Sequence, residues 1–238
     1  MNSHEKRPRG GDTPNAAGNI GHKDCTTRPA QGQSLLPFAI EYARRGWRIH
    51  PLRSCDKIPL LDRWPEVGSS NENQLVEWWT RTPTANIGLV CGRGSGVLVI
   101  DVDPRHDGDK GIAQLETRLG KLPPTVTSKT GGRGRHLFFK HPGGDGITNA
   151  AGFAGVGGVD IRTDGGNIVL PPSRHPSGGT YEWVGETEHL AELPPRWIDE
   201  LTSKPSLNAG PVFQVGATGE EALIRECASV LLKTAVPP

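Results

Sequence analysis

"VLVIDVDPRHDG", residues 97 to 108, decides how the rest of the chain is read. Four apolar residues, Val97, Leu98, Val99 and Ile100, run directly into Asp101, Val102 and Asp103. A short, continuous aliphatic run of this kind reads as a strand covered on both faces. Successive strand residues point to opposite faces, so Asp101 and Asp103 share one face, ~6.6–6.8 Å apart along the backbone, and Val102 packs on the other. Pro104 stops the strand and leaves both acids at the exit edge of a sheet. Two carboxylates so close repel each other unless a cation lies between them. A hard cation such as Mg2+ takes oxygen ligands and keeps positions open for phosphate. Taken alone, the same pair serves equally well to cap the next turn, with "DPRHDG" a solvated loop.

The chain has 238 residues, and its 27 basic and 26 acidic side chains give a net charge of +1. Bulk charge therefore selects no partner, and attraction to nucleic acid has to come from local clustering. The 32 glycines and 21 prolines predict short strands and many loops, not a helical bundle. Cys25, Cys55, Cys91 and Cys227 form no CxxC pair, which argues against a zinc knuckle or a disulfide framework and fits reduced thiols in the cytoplasm. No apolar run approaches the ~20 residues that span a bilayer, and the N-terminus lacks the apolar core of a signal peptide, so no membrane partner is expected.

Residues 1–30 are polar and aperiodic, the composition of a disordered leader. Residues 31–203 are expected to form the folded domain. In "SLLPFAIEYARRGW", Ser34 is placed to cap a helix, Leu35, Phe38, Ala39, Tyr42 and Ala43 recur at helical spacing, and Gly46 stops it. "WRIHPL" predicts a strand and "DKIPLLDRW" a loop. "SSNENQLVEWW" predicts a second helix with Leu75, Trp78 and Trp79 facing inward. "ANIGLVCG" and "GVLVIDVD" read as strands split by a "GRGS" turn, and "DKGIAQLETRLG" as a third helix ending at Gly120. "TVTSK" and "RHLFFK" read as strands joined by "TGGRG"; "GVDIR" and "NIVLPPS" follow as strands and "PPRWIDELTS" as a closing helix. Residues 204–218 resemble a linker, and 219–238 the start of a helical accessory segment. A lone helix after a linker has little to pack against, so the chain is expected to be cut short or to continue into a further helical domain.

Two further elements add chemistry to the paired acids. From Thr117 to Gly144 there are six basic residues, Arg118, Lys121, Lys129, Arg133, Arg135 and Lys140, and no acid. Within that segment Lys129 and Arg135 flank a Gly-rich turn whose backbone N–H groups can approach an anion. His136 opens the next strand, where an imidazole can donate to phosphate, although a lone strand histidine is more often a satisfied structural residue. No G-x-x-x-x-G-K-[ST] occurs, so this is not a P-loop. In "GVGGVDIRTDGGNIVLPPSRHPSG", Asp160 and Arg162 share a strand face, and Gly155, Gly157 and Gly158 allow another chain or a ligand to come close. A third carboxylate beside the first two completes the ligands of a two-metal phosphoryl-transfer site. Ser173 and His175 in "PPSRH" either join that pocket or belong to a rigid strand exit. Arg44, Arg45, Arg48, Lys57 and Arg63 lie near Trp47 and Trp64, a mixture that suits single-stranded nucleic acid, unless the tryptophans are core and the arginines a solvated face.

Taken in order, "YARRGW" with "PL", "KIP" and "W", then "ANIGLVCG" with "GVLVIDVD", "TGGRGRHLFF" and "GVDIRTDGGNIVLPPS" resemble the bifunctional primase–polymerase family of the archaeo-eukaryotic primase superfamily. The likeness runs from about residue 34 to 203. It implies an α+β catalytic core of mixed or antiparallel sheets with flanking helices, in which an RRM-like part carries the acids. The family's paired acids fall on Asp101 and Asp103, its histidine on His136 and its third acid on Asp160. The resemblance implies templated nucleotidyl transfer with two Mg2+ or Mn2+ ions, nucleoside triphosphates, a primer strand and a single-stranded DNA template. It also implies service to a plasmid, phage or integrated element, often beside a helicase. Many members of the superfamily carry a small hydroxyl residue two positions before the histidine. Here that position is Gly134, which shifts the expected grip on the triphosphate toward backbone N–H groups, Lys129 and Arg135. Two other functions compete. A metal-dependent nuclease explains the acids but not the histidine in a basic hairpin, and a non-catalytic single-strand or origin-binding domain leaves the three acids unexplained.

Overall fold

The computed structural model describes residues 32–203 apart from residue 186. The leader expected at 1–30, the linker at 204–218 and the accessory helix at 219–238 lie outside the described residues. The chain enters on α1 (Leu36–Arg44), which buries Ala39, Tyr42 and Ala43. Ser34 Oγ accepts the Leu36 N–H, one position ahead of the cap itself, which is Leu35. Gly46, at φ 83°, closes the helix as expected: its N–H reaches the Ala43 carbonyl, and the Trp47 N–H reaches that of Tyr42.

β1 (Ile49–Leu52) follows, then α2 (Trp64–Val67), α3 (Glu72–Arg81), β2 (Asn86–Val90) and β3 (Val97–Val102). α2 is a single turn, too short to show a period, and it starts at Trp64, where the segment that reads as a loop ends. Asn71 caps α3 by accepting the N–H groups of Asn73 and Gln74, and the helix buries Leu75 and Trp79 but Trp78 only in part. After β3 come a 3-10 turn (Pro104–His106), α4 (Gly108–Leu119), β4 (Thr127–Lys129), β5 (Arg135–Lys140), β6 (Val159–Arg162), β7 (Asn167–Leu170), β8 (Glu182–Val184) and α5 (Pro195–Thr202). β8 escapes a propensity reading because only three residues pair, although Tyr181 and Trp183 alternate as a strand would.

The strands form two sheets in which every pairing is antiparallel. One has the order β1-β2-β7 and the other β6-β3-β5-β4-β8. This is the mixed α+β architecture expected, compatible with a primase-like core. β3 is the hinge of the design, because its alternating side chains enter two different cores. Val97 and Val99 join Ile87, Leu89, Ile168 and Leu170 of the first sheet, with Tyr42, Trp47 and Phe138. Leu98, Ile100 and Val102 join α4 and α5 through Ile112, Leu115, Trp197 and Leu201. Each of these strand residues is wholly buried, and each such aliphatic side chain stabilises the fold by ~1.5–3 kcal/mol. The second sheet is thus covered by helices on one face and by the first sheet on the other. Asp101 falls on the side of the first sheet, where the apolar packing stops. No helix among the described residues is long and apolar enough to cross a membrane.

Candidate active site

The register of the second sheet assembles the site. Asp101 stands opposite Asp160 of β6 on one side and opposite His136 of β5 on the other. His136 in turn stands opposite Ser128 of β4, and Ser128 opposite Trp183 of β8. Directly opposed residues of an antiparallel pair project from the same face at ~4.5–5.5 Å. Asp160, Asp101, His136 and Ser128 therefore form one row, although 59 residues of sequence separate Asp101 from Asp160.

The contacts along this row are long. His136 Nε2 lies 3.6 Å from Asp101 Oδ1, and Ser128 Oγ lies 3.4 Å from His136 Nδ1. His136 is buried, with the Tyr181 ring 5.8 Å away and the edge of Phe138 at 6.2 Å. Burial pushes its imidazole pKa down, Lys57 and Arg162 push it the same way, and Asp101 opposes them. The ring is accordingly neutral. Tyr181 links it to His175, whose ring is 5.9 Å from the tyrosine. His175 Nδ1 accepts the Ser177 N–H at 3.1 Å and lies 2.8 Å from Ser177 Oγ. Tyr181 escapes the sequence reading; its only signal is its alternation with Trp183. Burial raises its hydroxyl pKa, and Asp101 adds to the effect.

Asp103 and Asp160 are on the same side but engaged. Arg105 Nε and Nη2 bond the two oxygens of Asp103 at 3.0 and 2.7 Å, His106 Nδ1 lies 3.1 Å from one of them, and Asp103 also accepts the Arg105 N–H. That paired guanidinium holds the Asp103 carboxyl well below the usual carboxylate range. The turn-capping role open to the DxD pair is thus real for Asp103. Asp160 accepts Arg162 Nη2 at 2.8 Å and the Gly152 N–H at 3.0 Å. Arg105 is the second site residue the sequence reading misses, because "DPRHDG" carries no period.

Several expected site residues are placed elsewhere, for definite reasons. Arg135 is one residue from His136 and so faces the helices: it pairs with Val102 across the ladder and with Asp109 of α4 through its guanidinium. Lys129 is opposite Arg135 and shares that face. The N–H groups of Thr130, Arg133 and Gly134 are bonded inside the hairpin turn, to Gly134 O, Thr130 O and Thr130 Oγ1. The glycines of this turn admit protein. A Cβ on Gly134 would lie 2.7 Å from the Val102 carbonyl oxygen, and one on Gly131 would lie 2.3 Å from His175 Cβ. Ser173 is fully buried, with its hydroxyl accepting the Ile87 N–H at 2.9 Å.

Of the basic group near the N-terminal tryptophans, Arg44, Lys57 and Arg63 are exposed, whereas Arg45 and Arg48 are half-buried and bonded within the protein. Arg48 donates to the carbonyls of Pro65, Glu66 and Gly68, satisfying the end of α2. Arg45 holds the Thr187 carbonyl and Glu41, and its guanidinium lies over Tyr42 and Trp47. Trp47 is core, Trp64 stacks on His50 at 4.8 Å, and Arg63 is exposed beside Glu66. Lys57 alone of that set acts on the imidazoles of the site.

Three carboxylates on one face match the oxygen donors a hard divalent ion takes. Among the described residues no three His, Cys, Asp or Glu side chains are gathered as a ligand set, and arginines bond Asp103 and Asp160. Asp101 has no such partner. Arg105 is 61% exposed, and an exposed ion pair is worth only ~0–1 kcal/mol, so a doubly charged ion can displace it. Oxygen donors of this chemistry suit such an ion.

Acids and a histidine aligned at the foot of a buried antiparallel strand are residue types that nucleotidyl transfer can use. The family comparison agrees. Residues 39–197, two thirds of the chain, match the model of the bifunctional DNA primase/polymerase N-terminal domain, and the chain belongs to that family. Its function is of DNA primase/polymerase type, which implies DNA and nucleotides as substrates. No curated protein matches the chain.

Proposed function

We propose that the chain is a template-directed nucleotidyltransferase that synthesises or extends primers during replication of a plasmid, phage or integrated element. The observation that carries this is the register: Asp101 between Asp160 and His136, on a face left open beyond the first sheet. Asp101, Asp103 and Asp160 would hold two divalent ions, Mg2+ or Mn2+. Bound there, such ions supply charge neutralisation on a triphosphate and activation of an attacking 3′-hydroxyl.

The chain's own groups do the rest by positioning and charge. His136 is neutral and desolvated, so it offers a hydrogen bond to a phosphate oxygen without the reorganisation water would require. Ser128 lies at its Nδ1 and helps to orient the ring. Arg162 fixes Asp160, and Arg105, on leaving Asp103, supplies a cation beside the same pocket. Positioning of this kind needs no covalent protein intermediate.

The test is incubation of the full chain with labelled template, each ribo- and deoxynucleoside triphosphate separately, and Mg2+ or Mn2+, with and without primer. Elongated products are expected. Shortened products would identify a nuclease. Salt-sensitive DNA binding with no dependence on metal or on Asp103, and no synthesis, would identify a binding domain.

A further inference from the structure

The turn after β1 is fastened to the candidate site by two side-chain amides. Residues 53–58 close on themselves, with the Arg53 N–H bonded to the Ile58 carbonyl at 2.8 Å and the Asp56 N–H to the Arg53 carbonyl at 3.1 Å. Asn86 is buried and donates from Nδ2 to the Asp56 carbonyl at 2.9 Å and to the Arg174 carbonyl at 2.7 Å, while its Oδ1 accepts the Arg174 N–H at 3.0 Å. One amide thereby joins the residue before Lys57 to the residue before His175. Asn167 adds a second tie, from Nδ2 to the Lys57 carbonyl at 3.3 Å, with its Oδ1 3.0 Å from His50 Nε2. A buried amide with the three backbone bonds of Asn86 fixes a segment in one place.

What they fix is a cation without a counterion. Arg45, Arg63, Arg135 and Arg162 each sit on a carboxylate, whereas the Lys57 ammonium is exposed and has no ion pair among the described residues. The Asn86 amide sets this turn beside the one that carries His175, whose ring lies 5.9 Å from Tyr181, itself 5.8 Å from the ring of His136. An unpaired ammonium on a turn tied to this row, with carboxylates at the row's far end, suits a polyanion that also carries metal.

We propose that Lys57 belongs to the nucleotide subsite and not to a template surface: from the turn beside that of His175, it grips the polyphosphate tail of the incoming nucleoside triphosphate. This rests on the nucleotidyltransferase reading.

Calorimetry on the full chain in Mg2+ tests it, with a deoxynucleoside triphosphate, the matching monophosphate and a single-stranded oligonucleotide as probes. Lys57→Ala is expected to weaken triphosphate binding about ten- to hundredfold, to leave the monophosphate within about twofold and to leave the oligonucleotide unchanged. Lys57→Arg should restore most of the loss. Unchanged triphosphate binding, an equal loss for both nucleotides, or a loss confined to the oligonucleotide would each overturn the assignment. If the wild type prefers triphosphate yet elongates nothing, the enzymatic reading fails while the same difference still decides Lys57. If it binds neither nucleotide, both fall.

Discussion

The two sheets use buried polar side chains in opposite ways. In the first sheet most are held at short distance, Asn86 to Arg174 at 2.7 Å, Ser173 to Ile87 at 2.9 Å and His50 to Asn167 at 3.0 Å, although the buried His50 Nδ1 has no partner among the described residues. The first two bonds tie the chain beyond β7 to the sheet, and the third joins β1 to β7. In the second sheet the row through Asp101 and His136 makes contacts of only 3.4 and 3.6 Å. A buried polar group is costly to leave without a partner, and loose contacts beside an open face are the usual state of catalytic groups before substrate arrives. Short bonds to backbone groups thus mark Asn86 and Ser173, which hold loops in the first sheet, and longer contacts mark the row proposed as the site, although both regions contain serine and histidine.

Four experiments bear on that contrast, and the first should have the largest effect. Asp101→Asn is expected to lower nucleotide incorporation by about 10^3-fold or more while the thermal midpoint stays near that of the wild type, because Asp101 is partly exposed and holds no backbone group. Incorporation near the wild-type rate would end the assignment of the row.

Acid should act on the first sheet. Burial lowers the His50 pKa from 6.5 to about 4, so below 6.5 the unfolded chain takes up a proton that the native state refuses. Stability is then lost progressively as pH falls from about 6.5 to about 4, by up to about 3 kcal/mol from this group. Denaturant titrations of the wild type and His50→Phe check it: the variant should show a flatter decline across that window. Parallel declines would mean that His50 is not held neutral by the fold.

The next comparison sets neighbours against each other. His136→Ala should lower incorporation about a hundredfold, and Arg135→Ala less than about threefold, because the two side chains leave opposite faces of β5. Equal losses would break the face assignment. The smallest effect is expected at Ser173→Ala, which strips the buried Ile87 N–H of its acceptor. It should cost about 1–2 kcal/mol of stability in a chemical melt with the specific rate of incorporation retained. A stable variant with lost activity would move Ser173 back into the site.

Much of the fold was legible because its signals are local. Seven of the eight strands carry a short apolar run or an alternation bounded by turn residues, and α1, α3 and α4 carry a three-to-four spacing with Asn71, Gly46 and Gly120 at their ends. α2 and β8 are too short for a period to emerge. The acids and the histidine were legible as candidates because unusual residue types end apolar strands. Lys129, Arg135, Ser173, Arg45 and Arg48 were harder. A basic residue at a hairpin and one bonded to carbonyls look the same in a sequence, and face assignment turns on a one-residue parity.

The sequence alone settled the alternation within each strand, so that Asp101 and Asp103 had to share a face and Val102 had to leave it; that is stereochemistry of the backbone and needs no partner. It could not state which strand would lie beside which. The register that sets Asp160 and His136 on either side of Asp101, and the amides that carry Lys57 across to His175, exist only once non-local pairings close, because they depend on burying the two faces of β3 against separate cores at once.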